Sequence, residues 1–493
     1  MQNRGRPQIW YEINTWVWLH DLSRRYGRGI TLGNVPEAEW EALAELDLEA
    51  VWFMGVWERS PVGLGIALEN KALLSEFQRA LPDFKPEDAL GSAYCVRRYR
   101  VDDRLGGPQG LAQAREQLAR RGIGLLLDFV PNHVARDHPW VFEHPDYFIQ
   151  GRTEDLSLRP GEFFPAEGRI MACGRDPYFL PWEDVAQVNA FHPGLRRAAQ
   201  DTLIEIAGQC DGVRCDMAML LINPVFGHTW GRRAGQEPAL DYWPEVIQGV
   251  REHFPDFLFI AEVYWDLELE LQQQGFDFCY DKRLYDRLEQ GPAEGIGRHL
   301  RMDPACQQKL VRFIENHDEP RAAAVFPWPK HRAAAVISTT LPGATLFYEG
   351  QFEGRKIRPP VFLTRRPRET IDQEALLFYR RLLEALRLPA IREGEWALCE
   401  RAGWPDNQSF LNLLAWCRRR EGARVLIVVN FSDQRSQGRV RLPWTDPAGG
   451  TRRLTDFFSG EVFERDGREL EDPGLYVDLE AWGFHFLLFE VTH

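Results

Sequence analysis

The chain has 493 residues, of which 44% are hydrophobic and 27% charged. That is globular composition, which argues against disorder. It is also longer than the ~250–300 residues at which single cores stop growing, so a large domain with one or two smaller ones is expected. A formal net charge of −14 excludes a nucleic-acid partner as the default, because a phosphate backbone would be repelled.

The eight cysteines (Cys95, Cys173, Cys210, Cys215, Cys279, Cys306, Cys399 and Cys417) are scattered and form no CxxC pair. Neither a structural zinc site nor a disulfide framework is expected, and the thiols read as reduced and largely buried. The segment Met-Gln-Asn-Arg-Gly-Arg-Pro-Gln at positions 1–8 carries no apolar core of a signal peptide, and no run of ~18 apolar residues occurs. A soluble, cytoplasmic protein with no membrane partner is the expectation, although a secreted form with its signal trimmed would read the same.

Eight short apolar or β-branched runs predict strands: Ile9–Asn14, Ala50–Gly55, Gly124–Val130, Gly212–Asp216, Leu258–Glu262, Phe276–Tyr280, Leu310–Glu315 and Ala344–Tyr348. Helical periodicity separates them. Leu111 to Arg120 and His331 to Thr340 repeat at i, i+3, i+4, as do Leu195, Ala198, Ala199, Leu203, Ile206, Ala207 and Cys210. Near-continuous apolar strands alternating with helices indicate a parallel sheet covered on both faces. Eight such units fit a closed (β/α)8 TIM barrel better than an open doubly wound sheet. No G-x-G-x-x-G follows the first strand, which weakens a dinucleotide-binding reading.

Two excursions break the alternation, Pro61 to Val96 after the second strand and Asn132 to Phe191 after the third. The latter holds Phe163, Phe164, Tyr178, Phe179 and Trp182 among Gly and Pro, and reads as an inserted subdomain. Beyond about Arg387 helical periodicity stops. Alternating runs at Val425–Val429 and Gly483–Val491 point to a C-terminal antiparallel β-domain. The α/β barrel is thus assigned to 1–131 and 192–387, the insert to 132–191, and the β-domain to 388–493.

Reactive side chains of barrel enzymes sit at the C-terminal ends of strands. The third strand here runs into Asp128-Phe129-Val130-Pro131-Asn132-His133. The fourth reads Gly212-Val213-Arg214-Cys215-Asp216, the fifth Ile260-Ala261-Glu262, and the seventh Phe313-Ile314-Glu315-Asn316-His317-Asp318. Any one such acid reads as a solvated or salt-bridged loop residue. Four endings of this kind are costly as packing, because buried carboxylates need partners.

In order and strand position these four segments resemble the four ordered sequence regions of the α-amylase superfamily, glycoside hydrolase family 13, across residues from about 9 to 350. The later β-domain resembles that family's C-terminal domain, and Gln187-Val188-Asn189 resembles a further short motif of its inserted domain. The resemblance implies a retaining glycosidase with Asp216 as nucleophile, Glu262 as acid/base and Asp318 as the third carboxylate. Retaining chemistry needs an acid for the departing oxygen and an ionised carboxylate to attack the sugar carbon. Arg214, two residues before Asp216, shares its side of the strand and would hold it ionised. Glu262 ends the apolar run Phe257-Leu258-Phe259-Ile260, a setting that can keep an acid protonated.

His133 and His317 are implied as ligands of sugar hydroxyls, although a plain loop histidine explains His133 equally well. Tyr94 falls where the family stacks an aromatic ring on the reacting glucose, with a core tyrosine as the competing reading. Asp128 is expected to order the site, and Trp57 and Trp265, just beyond strand ends, are the aromatic subsite candidates.

The sequence departs from the family at several points. Positions three and four after the nucleophile, often Lys-His, are Met219 and Leu220. No strict calcium requirement is therefore expected, since that histidine belongs to the family's calcium site and Asn132 alone remains as a ligand. No cofactor is required. Arg355, Lys356 and Arg358 follow the eighth strand as a basic strip, either a solvated structural loop or a receptor for an anionic leaving group. The expected substrate is an α-glucan or small α-glucoside of the malto-oligosaccharide type. A transglycosylase or phosphorylase using the same glycosyl-enzyme is the alternative, and a non-catalytic carbohydrate-binding barrel is the alternative from another class.

Overall fold

The structure is a computed structural model that describes residues 8–444 and 450–490. Eight strands close in sequence order into a parallel barrel. They are β1 (Gln8–Asn14), β2 (Ala50–Met54), β3 (Gly124–Phe129), β4 (Gly212–Cys215), β5 (Leu258–Ala261), β6 (Phe278–Tyr280), β7 (Leu310–Arg312) and β8 (Ala344–Tyr348). All eight predicted strands are present. Every residue in them is buried except Gly124, which is half-buried. That double-sided burial is why their sequences run apolar without alternating.

Five of the predicted strands overran the observed ones at their C-terminal ends. Asp216 and Glu262 each lie one residue beyond their strand, and Glu315 lies three beyond β7. Registers place Arg214 opposite both Asp128 on β3 and Ile260 on β5. The three helical patterns also hold, as Gly107–Arg120, Pro193–Ala207 and Trp328–Thr340.

The chain divides into two compact units. One comprises Trp10–Tyr280 with Ile357–Arg368; the other holds Asp281–Lys356 and the chain from Glu369 onward. In the first unit, the excursion from Pro61 folds as two helices, Pro61–Glu69 and Lys71–Ala80. Ser60 caps the first, with Pro61 at its start, and Asn70 caps the second by accepting from the main chain of Ala72 and Leu73.

The excursion after β3 builds a four-stranded antiparallel sheet of His133–Ala135, Phe163–Ala166, Arg169–Gly174 and Trp182–Gln187. Its two ends are tied together. The Gln187 amide donates to the main-chain and side-chain oxygens of Asn132 at 2.9 and 3.0 Å, while its Oε1 accepts from Asn132 Nδ2 at 3.3 Å.

In the second unit, two antiparallel sheets of six and three strands enclose a core that includes Leu413, Ala415, Leu426, Val428, Val440, Val477 and Leu487. The predicted run Val425–Val429 lies within the strand Ala423–Asn430. Gly483–Val491 corresponds to Phe484–Phe489, and Val491 lies outside the described residues. Arg418, buried on the strand Leu413–Arg420, donates to the carbonyls of Thr340 and Leu341 at the end of the helix Trp328–Thr340, at 3.3 and 2.9 Å. It donates also to the Gly394 carbonyl at 3.4 Å. Beside it, the Trp416 indole N–H donates to Thr340 Oγ1 at 3.2 Å.

All eight cysteines are free thiols, seven of them buried and Cys306 half-buried. Among the described residues, no helix is long and apolar enough to cross a membrane.

Candidate active site

In the first unit the site is organised by Arg214. Its position on β4 points the guanidinium along the same side as Asp216, two residues on. Arg214 Nη1 lies 2.6 Å from Asp216 Oδ1 and 4.0 Å from Asp128 Oδ1, while Nη2 lies 2.8 Å from Glu262 Oε2. One buried fork therefore serves the acids ending β4 and β5, with the β3 acid at its edge. The rings of Tyr94, Trp52 and Tyr280 surround the guanidinium carbon at 5.1, 5.5 and 5.8 Å, within cation–π range. Burial alone would push Arg214 down. Glu262, then Tyr94, Tyr280 and Asp216, more than offset that and hold it well above its ordinary value.

Besides its ion pair with Arg214, Glu262 accepts the main-chain N–H of Met217 on Oε2 at 2.7 Å and the Tyr264 hydroxyl on Oε1 at 2.8 Å. The apolar surroundings read from the sequence thus describe the strand but not the carboxyl. Strand neighbours pack the barrel, whereas the carboxyl faces donors from the next turn. Met217 reaches it because the chain turns left-handed directly after Asp216, with φ 44° and ψ 44°. Such a conformation costs a non-glycine residue energy, and strain of this kind concentrates at functional sites. Tyr264 and the Met217 amide were not singled out from the sequence. Tyr264 stands two residues beyond Glu262, so the alternation that placed Arg214 beside Asp216 could have found it.

Asp128 is buried. Its Oδ2 accepts from the Gly55 amide at 3.1 Å and its carbonyl from the Trp57 indole at 2.8 Å. Trp57 is only 1% exposed and packs edge-on against Tyr99. It supports Asp128 and offers no open face to a sugar, which corrects its assignment as a subsite platform. The ring was drawn inward because its N–H finds a partner only there.

Tyr94 is half-buried over Arg214. His133 is not in a loop: it opens the first strand of the inserted sheet, buried against Trp182 with ring centroids 5.1 Å apart. Burial lowers it to about 4, against a weaker opposing hydrogen bond with the Tyr94 main chain. Trp265 is half-buried, with Tyr178 edge-on at 4.9 Å. Met219 and Leu220 are both buried in a single turn, Ala218–Leu221. Asn132 is engaged with Gln187.

In the second unit, the turn after β7 presents His317 and Asp318. Asn316 Oδ1 accepts from the amides of Asp318 and Glu319 at 2.9 and 2.8 Å and shapes the turn. Buried His317 Nε2 lies 2.9 Å from Asp318 Oδ2, whose side chain is 41% exposed. Glu315 braces the turn from below, with Oε1 2.6 Å from Arg321 Nη1 and Oε2 accepting from the Ala322 amide at 2.7 Å. Arg321 in turn lies over the Tyr348 ring at 4.0 Å.

The basic strip after β8 is split between the units. Arg355 is half-buried, packed where a side chain on Gly350 would otherwise go, and Arg358 pairs with Glu76 at 2.9 Å. Arg358 therefore has a structural partner. Among the described residues, no group of three or more His, Cys, Asp or Glu side chains is placed to hold a metal ion.

A parallel (β/α)8 barrel with an inserted antiparallel sheet after β3, acids at the ends of β3, β4, β5 and β7, and a C-terminal β-domain is the architecture of the α-amylase fold. No protein-family model matches the chain. The α-amylase MalA of Haloarcula japonica is 28% identical over 364 residues, covering 69% of this chain and 46% of that protein. The 1,4-α-glucan branching enzyme GlgB of Methylobacillus flagellatus is 25% identical over 425 residues, covering 78% and 55%. The chain spans about half the length of the curated relatives it matches. Among solved structures, the noncanonic maltogenic α-amylase AmyB of Thermotoga neapolitana aligns over the whole of both chains with a TM-score of 0.70 and 18% identity. The α-amylase of Geobacillus thermoleovorans complexed with acarbose aligns over 99% of both, with a TM-score of 0.66 and 16% identity. The structural likenesses establish the fold. The sequence relatives to which the chain is similar are likewise an α-amylase and an α-glucan branching enzyme.

Proposed function

We propose that the protein is a retaining glycoside hydrolase that cleaves α-glucosidic bonds of malto-oligosaccharide-like substrates through a covalent glycosyl-enzyme. One observation carries the reading: Asp216 and Glu262 share the two nitrogens of a single buried guanidinium. Carboxyls gripped by one fork are side by side, with little room for a water between them. That favours the close spacing of about 5–5.5 Å used by retaining enzymes over the wider spacing of inverting ones.

In the first step Asp216 attacks the anomeric carbon while Glu262 gives its proton to the departing glycosidic oxygen. In the second, Glu262 takes a proton from water, whose oxygen bonds to that carbon as the Asp216 ester breaks. Arg214 keeps Asp216 ionised for attack, and Asp128 holds Arg214 and the β2 turn in register. Asp318 in the second unit is the third carboxylate. Its side chain is 41% exposed, with buried His317 Nε2 2.9 Å from its Oδ2. His133 and Tyr94 act at the sugar that Asp216 attacks, the first as a neutral hydrogen-bonding group and the second by ring contact.

The two displacements restore configuration, so the α-anomer of the product should appear first. Proton NMR during early hydrolysis of maltotriose checks this. A β-anomer at the earliest times would remove Asp216 from the role of nucleophile.

A further inference from the structure

Arg59 belongs to none of the four acid-bearing segments, yet it is a buried cation, only 6% exposed. It ends the short strand Trp57–Arg59, which runs antiparallel to Val96–Val101 and pairs Arg59 with Val96. Its side chain reaches the other end of the same stretch, where Nη1 donates to the Gly91 carbonyl at 2.9 Å. Residues 91–96, with Tyr94 among them, are therefore held at both ends by one residue.

The same nitrogen donates to the Val361 carbonyl at 2.7 Å. A guanidinium nitrogen carries two hydrogens, so one can serve both acceptors. Val361 lies on a strap, 357–368, that runs antiparallel to the chain at 88–90. There the Leu90 amide donates to the Phe362 carbonyl and the Thr364 amide to the Asp88 carbonyl, both at 2.8 Å. Between them Leu363 packs into a small core with Phe77, Ala80, Leu81 and Ala89.

The other end of the fork occupies the space beside Gly55. A Cβ on that glycine would lie 2.8 Å from Arg59 Nη2 and 3.2 Å from the Ala93 Cβ. Gly55 is itself tied to the site, because its amide donates to Asp128. Burial lowers Arg59 to about 10, against Asp102 and Tyr94, so it keeps its charge at neutral pH. Among the described residues, its Nε and Nη2 are buried without a hydrogen-bond partner. Such burial is costly, and an apolar side chain would pack the end of a strand more cheaply. What the guanidinium adds is the tie between the two segments.

We propose that Arg59 is a positioning residue for the reaction: through Gly91 and Val96 it fixes the Tyr94 ring at the sugar that Asp216 attacks, with the strap as its second anchor. The proposal rests on the glycosidase reading above, in which Tyr94 meets that sugar by ring contact.

A double-mutant cycle separates this role from general support of the fold. The measurement is kcat/KM for α-maltosyl fluoride, per folded enzyme and well below each thermal transition. Arg59→Met and Tyr94→Ala should each lower it about 2- to 10-fold, the range of one aromatic contact. The double variant should be no worse than Tyr94→Ala, because Arg59 acts through that ring. Should Arg59→Met fail to fold, Arg59→Lys takes its place in the cycle. It keeps a cation and a donor, and should show a smaller loss that likewise vanishes in the Tyr94→Ala background. An unaltered kcat/KM in either single variant, or losses that multiply in the double variant, overturns the positioning role. Failure of the wild type to release fluoride from α-maltosyl fluoride overturns the glycosidase reading instead.

Discussion

Arg214 is the residue on which the site's electrostatics turn. It is fully buried, and three carboxylates lie within 4.0 Å of its fork. Removing it would leave those acids without their cation in a low-dielectric setting, which typically costs about 3–5 kcal/mol. Arg214→Leu should therefore lose most of its stability in a denaturant titration, beyond losing activity. The reverse substitutions differ. Asp216→Asn and Glu262→Gln keep hydrogen-bond partners for the fork, so they should fold normally. Their turnover should nevertheless drop by about three orders of magnitude or more, as measured by glucose release. Near-wild-type turnover in either variant would be incompatible with its assigned role. Arg214 and the acids could be read from the sequence because two-residue alternation fixes who shares a side. Trp57 was misread because alternation gives no account of where an indole finds its acceptor, and that acceptor, the Asp128 carbonyl, comes from a strand far off in sequence.

At the scale of elements, the helix Trp328–Thr340 shows how the β-domain is joined to its unit. The last carbonyls of a helix lack intrahelical partners, and here Arg418 supplies the donors from a strand 77 to 78 residues away in sequence. Burial lowers Arg418 to about 10, with Arg312 adding to the effect, so it remains charged at neutral pH and also answers the negative end of the helix. Arg418→Leu should cost about 2–4 kcal/mol, seen as an earlier thermal transition. Arg418→Lys should recover part of it, and no loss in the leucine variant would show that the carbonyls find other partners. The eight strands were legible because burial on both faces writes itself as unbroken apolar runs. The helices Pro61–Glu69 and Lys71–Ala80 went unread because the first is apolar over most of its length and carries little periodicity. Their caps, Ser60 with Pro61 and then Asn70, were the available signal.

At the scale of the whole molecule, buried histidines set the response to acid. Burial lowers His133 to about 4, His138 to about 3 and His331 to about 4, from 6.5. A smaller opposing contribution acts on His133 and His331, and Arg98 lowers His138 further. In each case the unfolded chain binds protons that the folded chain refuses. Stability should therefore rise with pH across this window, and be lost as pH falls from about 6.5 towards 4. For one such histidine the loss approaches about 3 kcal/mol. Asp21, lowered to about 2 by hydrogen bonds and charges from His20, Arg366 and Arg24 that outweigh burial, acts only at lower pH. Denaturant midpoints at pH 7, 5.5 and 4.5 test this, and His331→Gln, which retains a partner for the Tyr379 hydroxyl, should flatten the slope. Equal midpoints from pH 7 to 4.5 would contradict the assignment of neutral buried histidines. None of this was readable from the sequence, since a histidine's burial depends on what packs over it.

The clasp between Asn132 and Gln187 has a consequence for how such a chain can change. The two residues are 55 apart in sequence yet joined by reciprocal amide hydrogen bonds, so the chain leaves for the inserted sheet and returns from it at one fixed point. Closing a longer or shorter loop across a fixed pair alters its entropy only by the logarithm of its length. A change in the insert's length therefore costs little in closure entropy, so long as this pair is kept. A lineage could thus lengthen or shorten the insert between these two positions without touching Asp216 or Glu262.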